Sequence, residues 1–185
     1  KFDHKHKIVV LGNHDLDYFF EQQNDAITES RKLITNAKVA SHLDGFFNIM
    51  GMNFYAREWF YPHTWNYNLK QEFSDVNDDN VYKIPTPLPQ NGLDILLTHG
   101  PAKNYNNIVG IGSVKILQEI KEKKPKLHLF GHIHDRYGFT VEGCNNSLTI
   151  LINSASVCED STKIVNRPRV IKYNIDTRQV VYINN

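Results

Sequence analysis

The sequence has few cysteines, and their positions exclude two common ways of stabilising a small protein. Cys144 and Cys158 are the only two among 185 residues. Their spacing matches neither a structural zinc motif nor a disulfide framework. We predict two reduced thiols in a cytoplasmic protein, and a disulfide between them is the open alternative.

A strong net charge and long apolar runs are also lacking. The 21 basic residues are balanced by 20 acidic ones, which leaves a formal net charge of +1. This balance gives no electrostatic argument for binding a nucleic acid polymer or an anionic membrane. No apolar run approaches the roughly 18 residues of a membrane-spanning helix. We therefore expect a small-molecule substrate and no membrane partner, while the oligomeric state is left undetermined.

The order of apolar runs predicts an α/β fold in a single domain over residues 1–185. Hydrophobic residues make up 41% of the chain, which suffices for one sizeable core. Strand-like and helix-like runs alternate in the front part, and strand-like runs dominate after residue 137, which favours α/β layers with an open sheet. The predicted elements are buried strands at 7–11, 93–98 and 126–130, a hairpin within 46–57, and helices at 19–36 and 114–124, the last with Ser113 as N-cap.

Each of the three predicted buried strands ends in a short loop that carries histidine. The loops read Gly12-Asn13-His14-Asp15, His99-Gly100-Pro101 and Gly131-His132-Ile133-His134. Sites in open α/β sheets form beyond the carboxyl ends of the strands. We therefore predict that the three loops meet at one edge of the sheet and form a functional site.

The side chains in these loops suit divalent metal ions. Imidazole nitrogens bind zinc, iron, nickel and copper well, whereas amide and carboxylate oxygens suit harder ions such as manganese. The glycines in the loops allow sharp turns and leave room for a substrate.

In this order, the three loop motifs resemble those of the calcineurin-like metallophosphoesterase family. The stretches HKHKIVVLGNHD, LDILLTHGP and KPKLHLFGHIH, followed by INSAS, are similar to its metallophosphoesterase-domain-containing subfamily. The resemblance spans nearly the whole chain and is loosest over residues 58–89. It implies a metallophosphoesterase sandwich of two sheets flanked by helices. It also implies metal-dependent hydrolysis of phosphoric esters by a metal-activated hydroxide, with phosphodiesters such as cyclic nucleotides as the expected substrates.

The resemblance also implies a role for each matched residue. His14 would stabilise charge on the phosphoryl group or protonate the leaving oxygen, and Asp15 would orient its loop or a ligand. The intact protein would bind two divalent ions, each of them Mn, Fe, Zn or Mg. The implied metal ligands are Asn13, His99 and His132 for one ion and His134 for the other.

The chain departs from the family pattern before its first loop motif. The family also has an Asp-x-His motif and a Gly-Asp motif there, and neither occurs in this sequence, where His4 follows Asp3 directly. We expect on this ground that the first βα unit is missing from an N-terminally truncated domain. Neutral ligands compensate the repulsion between two dications poorly, so this chain alone is expected to be weak or inactive. A non-catalytic protein-interaction module on the same fold is the alternative.

Three residues outside the motifs are assigned from their neighbours. Arg57 is a candidate substrate contact because its guanidinium suits phosphate, although a surface role is equally open. Asn153 follows a predicted strand and is a second candidate substrate contact. His128 lies between two leucines and is interpreted as a hydrogen-bonded core histidine.

Other residues have no motif to support a role. His42 and His63 belong to none of the three loops. The aromatic residues within 59–67 are candidates either for a nucleobase-binding wall or for core packing.

Overall fold

The chain alternates strands and helices in its front part and is mainly strands towards its end, as predicted for an α/β fold. The computed structural model describes residues 3–21, 25–58, 83–105, 112–144, 147–158 and 163–184. The helices are α1 (Asn13–Glu21), α2 (Ala26–Leu33) and α3 (Val114–Lys123), with 3₁₀ turns at His42–Asp44 and His134–Arg136. The strands are β1 (Ile8–Val9), β2 (Lys38–Val39), β3 (Phe46–Ile49), β4 (Met52–Arg57), β5 (Ile95–Thr98), β6 (Leu127–Phe130), β7 (Gly138–Cys144), β8 (Ser147–Asn153), β9 (Ile171–Asn174) and β10 (Gln179–Ile183).

A six-stranded sheet forms the centre of the described structure. Its strand order is β3-β4-β5-β6-β8-β7, and the neighbouring pairs among β4, β5, β6 and β8 are all parallel. Arg57 is paired in register with Thr98, and Phe130 with Asn153. The carboxyl ends of these four strands therefore lie along one edge of the sheet.

Two smaller sheets accompany the central one. Strands β1 and β2 form a parallel pair in which Val9 is in register with Val39, and Ala40 N donates to Val9 O at 2.8 Å. Strands β9 and β10 form an antiparallel hairpin. The predicted α/β fold class is confirmed, with the described strands divided among these three sheets.

Both faces of the central sheet are covered, which explains its continuous apolar strands. On one face, Leu96 belongs to a core cluster that includes Ile116 and Ile120 of α3. On the other face, the next residue back, Ile95, packs in a second cluster that includes Ile8 of β1 and residues of the β9–β10 hairpin. Successive residues of β5 thus pack in two different core clusters, one on each face of the sheet.

The single helix predicted over 19–36 is wrong in its bounds. The chain forms two helices instead, and the first begins at Asn13, immediately after β1 and Gly12. Asp15 closes the start of α1, because its carboxylate accepts a hydrogen bond from Gly12 N at 2.8 Å. Asp25 caps α2 by accepting from Ile27 N at 3.1 Å. These acidic residues were not recognised as caps in the sequence.

Helix α3 has the ends that the sequence predicts. The Ser113 hydroxyl oxygen accepts from Ile116 N at 3.2 Å, which caps its first turn. Lys124 ends it in the left-handed conformation with φ of 52°, and Pro125 follows. Among the described residues, no helix is both long and apolar enough to cross a membrane.

The β9–β10 hairpin is attached to the central sheet through a buried carboxylate. Asp94, directly before β5, is fully buried and forms an ion pair with Arg178. It also accepts hydrogen bonds from the Tyr173 hydroxyl at 2.6 Å and from Asn53 N at 2.7 Å. Burial and the neighbouring carboxylate raise the pKa of Tyr173, so its hydroxyl stays protonated and continues to donate.

One segment named in the sequence analysis cannot be compared with the structure. The aromatic stretch within 59–67 lies outside the described residues, as does His63.

Candidate metal centre

The three histidine-bearing loops meet at the carboxyl edge of the central sheet. His99 and Gly131 follow β5 and β6, and Gly131 N donates to His99 O at 3.0 Å. The loop after β1 approaches them from the β1–β2 layer. Gly12 lies so close to His99 that a Cβ atom at position 12 would be 2.6 Å from the imidazole Cε1. A side chain at position 12 would therefore displace the ring.

Three nitrogen and oxygen donors converge where these loops meet. Asn13 Oδ1 lies 2.8 Å from His99 Nε2, and His132 Nδ1 lies 3.2 Å from the same nitrogen. The two imidazole rings are 5.0 Å apart between centroids and are inclined by 65°. Asn13 is buried, at 8% exposed, so its amide is held inside this cluster.

His132 reaches the cluster through an uncommon backbone conformation. Its φ of 69° lies in the left-handed region, which side chains other than glycine rarely adopt. Strained conformations of this kind occur preferentially at functional sites. Here the conformation accompanies the turn that directs Nδ1 of His132 towards His99.

The two separations that join His99 to Asn13 and to His132 fit a shared metal ion. Ligands at about 2.1 Å from a metal, in octahedral or tetrahedral geometry, are about 3.0–3.4 Å from one another. The observed separations of 2.8 and 3.2 Å are close to this range. Across the described ranges, no group of three or more His, Cys, Asp or Glu residues has the geometry of a metal site. Asn13 therefore supplies the third donor of this cluster.

The imidazoles of the cluster are neutral near pH 7, as metal coordination requires. Burial, together with the nearby His14 and His134, lowers the pKa of His99 to about 4. Burial likewise lowers the pKa of His132 to about 4, with contributions from His99, His134 and His14. These electrostatic effects also show that His14 and His134 lie near the cluster.

His14 and His134 border the cluster and are more accessible than its members. His14 is in the first turn of α1 and exposed, whereas His134 is half-buried in the 3₁₀ turn 134–136. Asp15 is exposed, and its carboxylate accepts from the backbone of the Gly12 loop. This contact is compatible with the loop-orienting role that the resemblance implies for Asp15, which stays a prediction.

His128 stabilises the loop that carries His99 through hydrogen bonds. It is fully buried, and its Nε2 lies 2.7 Å from Thr98 Oγ1. The Thr98 hydroxyl donates to Gly100 O at 2.6 Å, so it accepts from Nε2–H of His128. This chain of hydrogen bonds fixes the turn that follows β5. Burial lowers the pKa of His128 to about 3. Its interpretation as a hydrogen-bonded core histidine is confirmed.

Arg57 lies at the same edge as the cluster, one strand away. It ends β4 in register with Thr98 of β5, directly before the position of His99. It is buried, at 9% exposed, which excludes the surface role that the sequence left open.

Asn153 lies at the same edge, and the substrate contact predicted for it does not fit its surroundings. It is fully buried. Its Nδ2 donates to Ile133 O at 2.6 Å and to Arg136 O at 2.9 Å, while its Oδ1 accepts from Ala155 N. The side chain is therefore fully engaged with the backbone around the His134 turn, which it positions.

The sequence analysis missed a pair of residues at this edge, His42 and Glu58. The buried Glu58 carboxylate accepts from the backbone N of His42 at 3.0 Å and pairs with its Nδ1. His42 starts the 3₁₀ turn after β2, and Glu58 follows β4. The two residues are 16 positions apart, so no local motif indicates the pairing.

Comparison with known proteins supports the resemblance of the motifs. The family model described as calcineurin-like phosphoesterase matches residues 1–136. The human protein named "Metallophosphoesterase domain-containing protein 1" is 30% identical over 195 aligned residues, covering 91% of this chain and 55% of the relative. Its mouse counterpart gives the same values.

A more distant relative comes from Caenorhabditis elegans. The "UPF0046 protein T07D4.2" is 27% identical over 216 aligned residues, covering 100% of this chain and 51% of the relative. The chain thus spans about half the length of the curated relatives it matches. The family match and the human relative agree with the cluster of loop histidines, and the chain belongs to the calcineurin-like phosphoesterase family.

Proposed function

We propose that the protein is a metal-dependent phosphoesterase that hydrolyses phosphodiesters such as cyclic nucleotides. The observation that carries this proposal is the approach of Asn13 Oδ1 and His132 Nδ1 to His99 Nε2, at 2.8 and 3.2 Å. Membership of the calcineurin-like phosphoesterase family supports it. The chain's near-neutral charge supports a small-molecule substrate rather than a nucleic acid polymer.

The residues of the site have two proposed roles, as metal ligands and as substrate contacts. Asn13, His99 and His132 would hold one divalent ion, and His134 would contribute to a second. A divalent ion bound there would polarise a phosphoryl oxygen and lower the pKa of water. The exposure of His14 beside the cluster supports its proposed roles, which are to contact the phosphoryl group and to give a proton to the leaving oxygen. Arg57 offers a guanidinium at the same edge for a phosphate oxygen.

Loss of one ligand tests the proposal directly. Hydrolysis of bis(4-nitrophenyl) phosphate with added Mn²⁺ is compared between the wild-type protein and His132→Ala. We expect the variant to lose more than about 100-fold in kcat/KM, because even residues that only orient metal ligands contribute 10–100-fold.

The matched control is His6→Ala, which removes an exposed histidine that precedes β1. It should keep the wild-type rate. Equal rates for wild type and His132→Ala would remove His132 from the mechanism. In the intact protein, a wild-type rate no higher than that of Mn²⁺ alone would refute the proposed function.

A further inference from the structure

His128 occupies a position of β6 that its neighbours would suit to an apolar side chain. On either side it is in register with a buried leucine, Leu96 of β5 and Leu151 of β8. Its ring is fully buried, and among the described residues its Nδ1 has no hydrogen-bond partner. Such an unpaired polar atom costs about 1–3 kcal/mol. The other ring nitrogen, Nε2, thus provides what an aliphatic residue could not.

The contacts of Nε2 determine which nitrogen of His128 carries the proton. Nε2 lies 2.7 Å from Thr98 Oγ1, and the Thr98 hydroxyl donates to Gly100 O at 2.6 Å. With the proton on Nε2, both hydrogen bonds form at once, from His128 to Thr98 and from Thr98 to Gly100. With the proton on Nδ1, the hydroxyl would have to leave Gly100 O in order to donate to Nε2, and a buried N–H would stay unpaired. The neutral ring therefore carries its proton on Nε2.

The hydrogen bond from Thr98 to Gly100 encloses His99. Thr98 and Gly100 are the neighbours of His99 in the chain, so this bond closes a turn around it. On its other side, His99 O accepts from Gly131 N at 3.0 Å. The backbone of His99 is thus held both within its own turn and by the loop after β6, while its Nε2 lies 2.8 Å from Asn13 Oδ1.

We propose that His128 is a positioning residue of the metal centre, which increases metal affinity by keeping the Thr98 hydroxyl on Gly100 O. Without Nε2–H the hydroxyl is free to rotate away from Gly100 O, and the turn that carries His99 gains freedom. A metal ion would have to restrict that freedom on binding, which lowers its affinity. This inference rests on the metal centre of the proposed function and requires no particular phosphoester.

Variants of His128 and Thr98 test the inference through the Kd for Mn²⁺, measured by EPR of the free ion. His128→Leu removes the donor, and Thr98→Val removes the hydroxyl at nearly constant volume. We expect each to raise the Kd about tenfold or more, because residues that orient metal ligands contribute 10–100-fold. The double variant should bind as the single variants do, since both substitutions break one chain of hydrogen bonds.

Two conservative variants should restore the affinity. His128→Gln places an N–H near the position of Nε2, and Thr98→Ser keeps the hydroxyl. Both should bind Mn²⁺ within about threefold of the wild type, since each keeps both hydrogen bonds. A Kd for His128→Gln as high as that of His128→Leu would contradict the role of Nε2–H.

Thr149→Val is the matched control for Thr98→Val. Thr149 is also buried, and its hydroxyl donates to a backbone oxygen, Pro125 O, at 2.6 Å. Pro125 precedes β6, whereas His132 follows it, so this bond lies at the other end of the strand. We expect Thr149→Val to lower the melting temperature about as much as Thr98→Val does, and to leave the Kd unchanged. Equal weakening of Mn²⁺ binding in the two variants would show a general loss of stability and would overturn the inference.

The inference and the proposed function fail in different ways. Wild-type Mn²⁺ affinity in Thr98→Val overturns the inference, and this variant decides the matter if His128→Leu does not fold. Weakened binding in Thr98→Val, with no hydrolysis of bis(4-nitrophenyl) phosphate by the intact protein, supports the positioning role and refutes the proposed function. Wild-type protein that binds no Mn²⁺ overturns both.

Discussion

At the scale of single residues, the sequence located the cluster because each motif residue directly follows a buried strand. Parallel strands end at one edge, so the meeting of His99 and His132, which follow β5 and β6, is expected from strand order. Asn13 reaches them from the separate β1–β2 sheet, and strand order alone does not predict that packing. The partnership of His42 with Glu58 depends on the pairing of strands in two different sheets, which no local pattern encodes. Asn153 was placed at the correct edge, but its burial depends on how the 133–136 turn packs against it.

His128 makes the stability of the protein depend on pH in a predictable direction. Its pKa is lowered from 6.5 to about 3 by burial, so below pH 6.5 the unfolded chain binds a proton that the folded chain does not. Its contribution to stability is therefore complete above pH 6.5 and is lost as the pH falls towards 3. Between pH 6.5 and 5 the loss is about 2 kcal/mol. His128→Gln keeps a donor for Thr98 and cannot titrate, so its free energy of unfolding should fall by that much less.

Urea unfolding at the two pH values, with a chelator present, checks this prediction. The comparison of wild type with variant cancels the titration of the other histidines. His6→Gln, at an exposed position, should behave as the wild type does. The same pH dependence in wild type and His128→Gln would show that His128 is not the responsible group.

At the scale of elements, the ends of α3 were predictable and those of α1 were not. Ser113 and Pro125 are strong local signals for a start and a stop. Asn13 was assigned to the loop that follows the first predicted strand, yet it begins a helix whose first turn is closed by Asp15. A residue that serves both chemistry and a helix start gives two conflicting local signals.

The turn that carries His134 depends on a side chain from another element. Ile133, at the N-cap position of the 134–136 turn, makes no side-chain cap hydrogen bond. Asn153 from the end of β8 donates to two carbonyl groups of this turn instead. Asn153→Ala should lower the free energy of unfolding by about 2–3 kcal/mol, because it removes two hydrogen bonds to these carbonyl groups and the acceptor of Ala155 N. Metal affinity should fall as well, since the His134 turn loses its support.

Asn166→Ala is the matched control for this measurement. Its Nδ2 donates to a single carbonyl group, that of Ala155, at 2.9 Å. Asn166→Ala should lower the free energy of unfolding by about 1 kcal/mol and leave metal affinity unchanged. Similar losses for the two variants in urea unfolding would argue against the special role of Asn153.

At the scale of the whole molecule, the β9–β10 hairpin is held by the ion pair of Asp94 and Arg178. The sequence predicted both strands, but not this attachment, which joins residues 84 positions apart. Arg178→Met would leave a fully buried carboxylate without its counter-ion. Breaking a buried pair on one side costs about 3–5 kcal/mol, so we expect a loss of that size in urea unfolding.

Lys32→Met provides the comparison with a surface pair. Lys32 and Glu29 are 2.6 Å apart on α2, with 65% of the Lys32 side chain exposed. Loss of this ion pair should lower the free energy of unfolding by less than about 1 kcal/mol. An Arg178→Met variant as stable as Lys32→Met would show that the hairpin is anchored by its apolar contacts alone.

The donor set predicts unequal occupancy of the two proposed metal positions. Asn13, His99 and His132 are uncharged donors, and across the described part of the chain no carboxylate completes a group of three with the histidines. Two dications close together repel strongly without negative ligands. We therefore expect this chain to bind close to one Mn²⁺ per molecule, and to show low phosphodiesterase activity. Metal content measured after dialysis checks this, and a value near two per chain would contradict it.

The contact between Asn13 and His99 joins residues 86 positions apart, and that of His132 with His99 spans 33 more. An ion held by these three residues would act as a removable cross-link that closes both long loops at once. Because the unfolded chain holds no such arrangement, every increment of ion affinity is also an increment of resistance to unfolding. Removal of the ion would thus weaken the attachment of the β1–β2 sheet to the central sheet. Heat and chelators would disrupt the same contact between the two sheets.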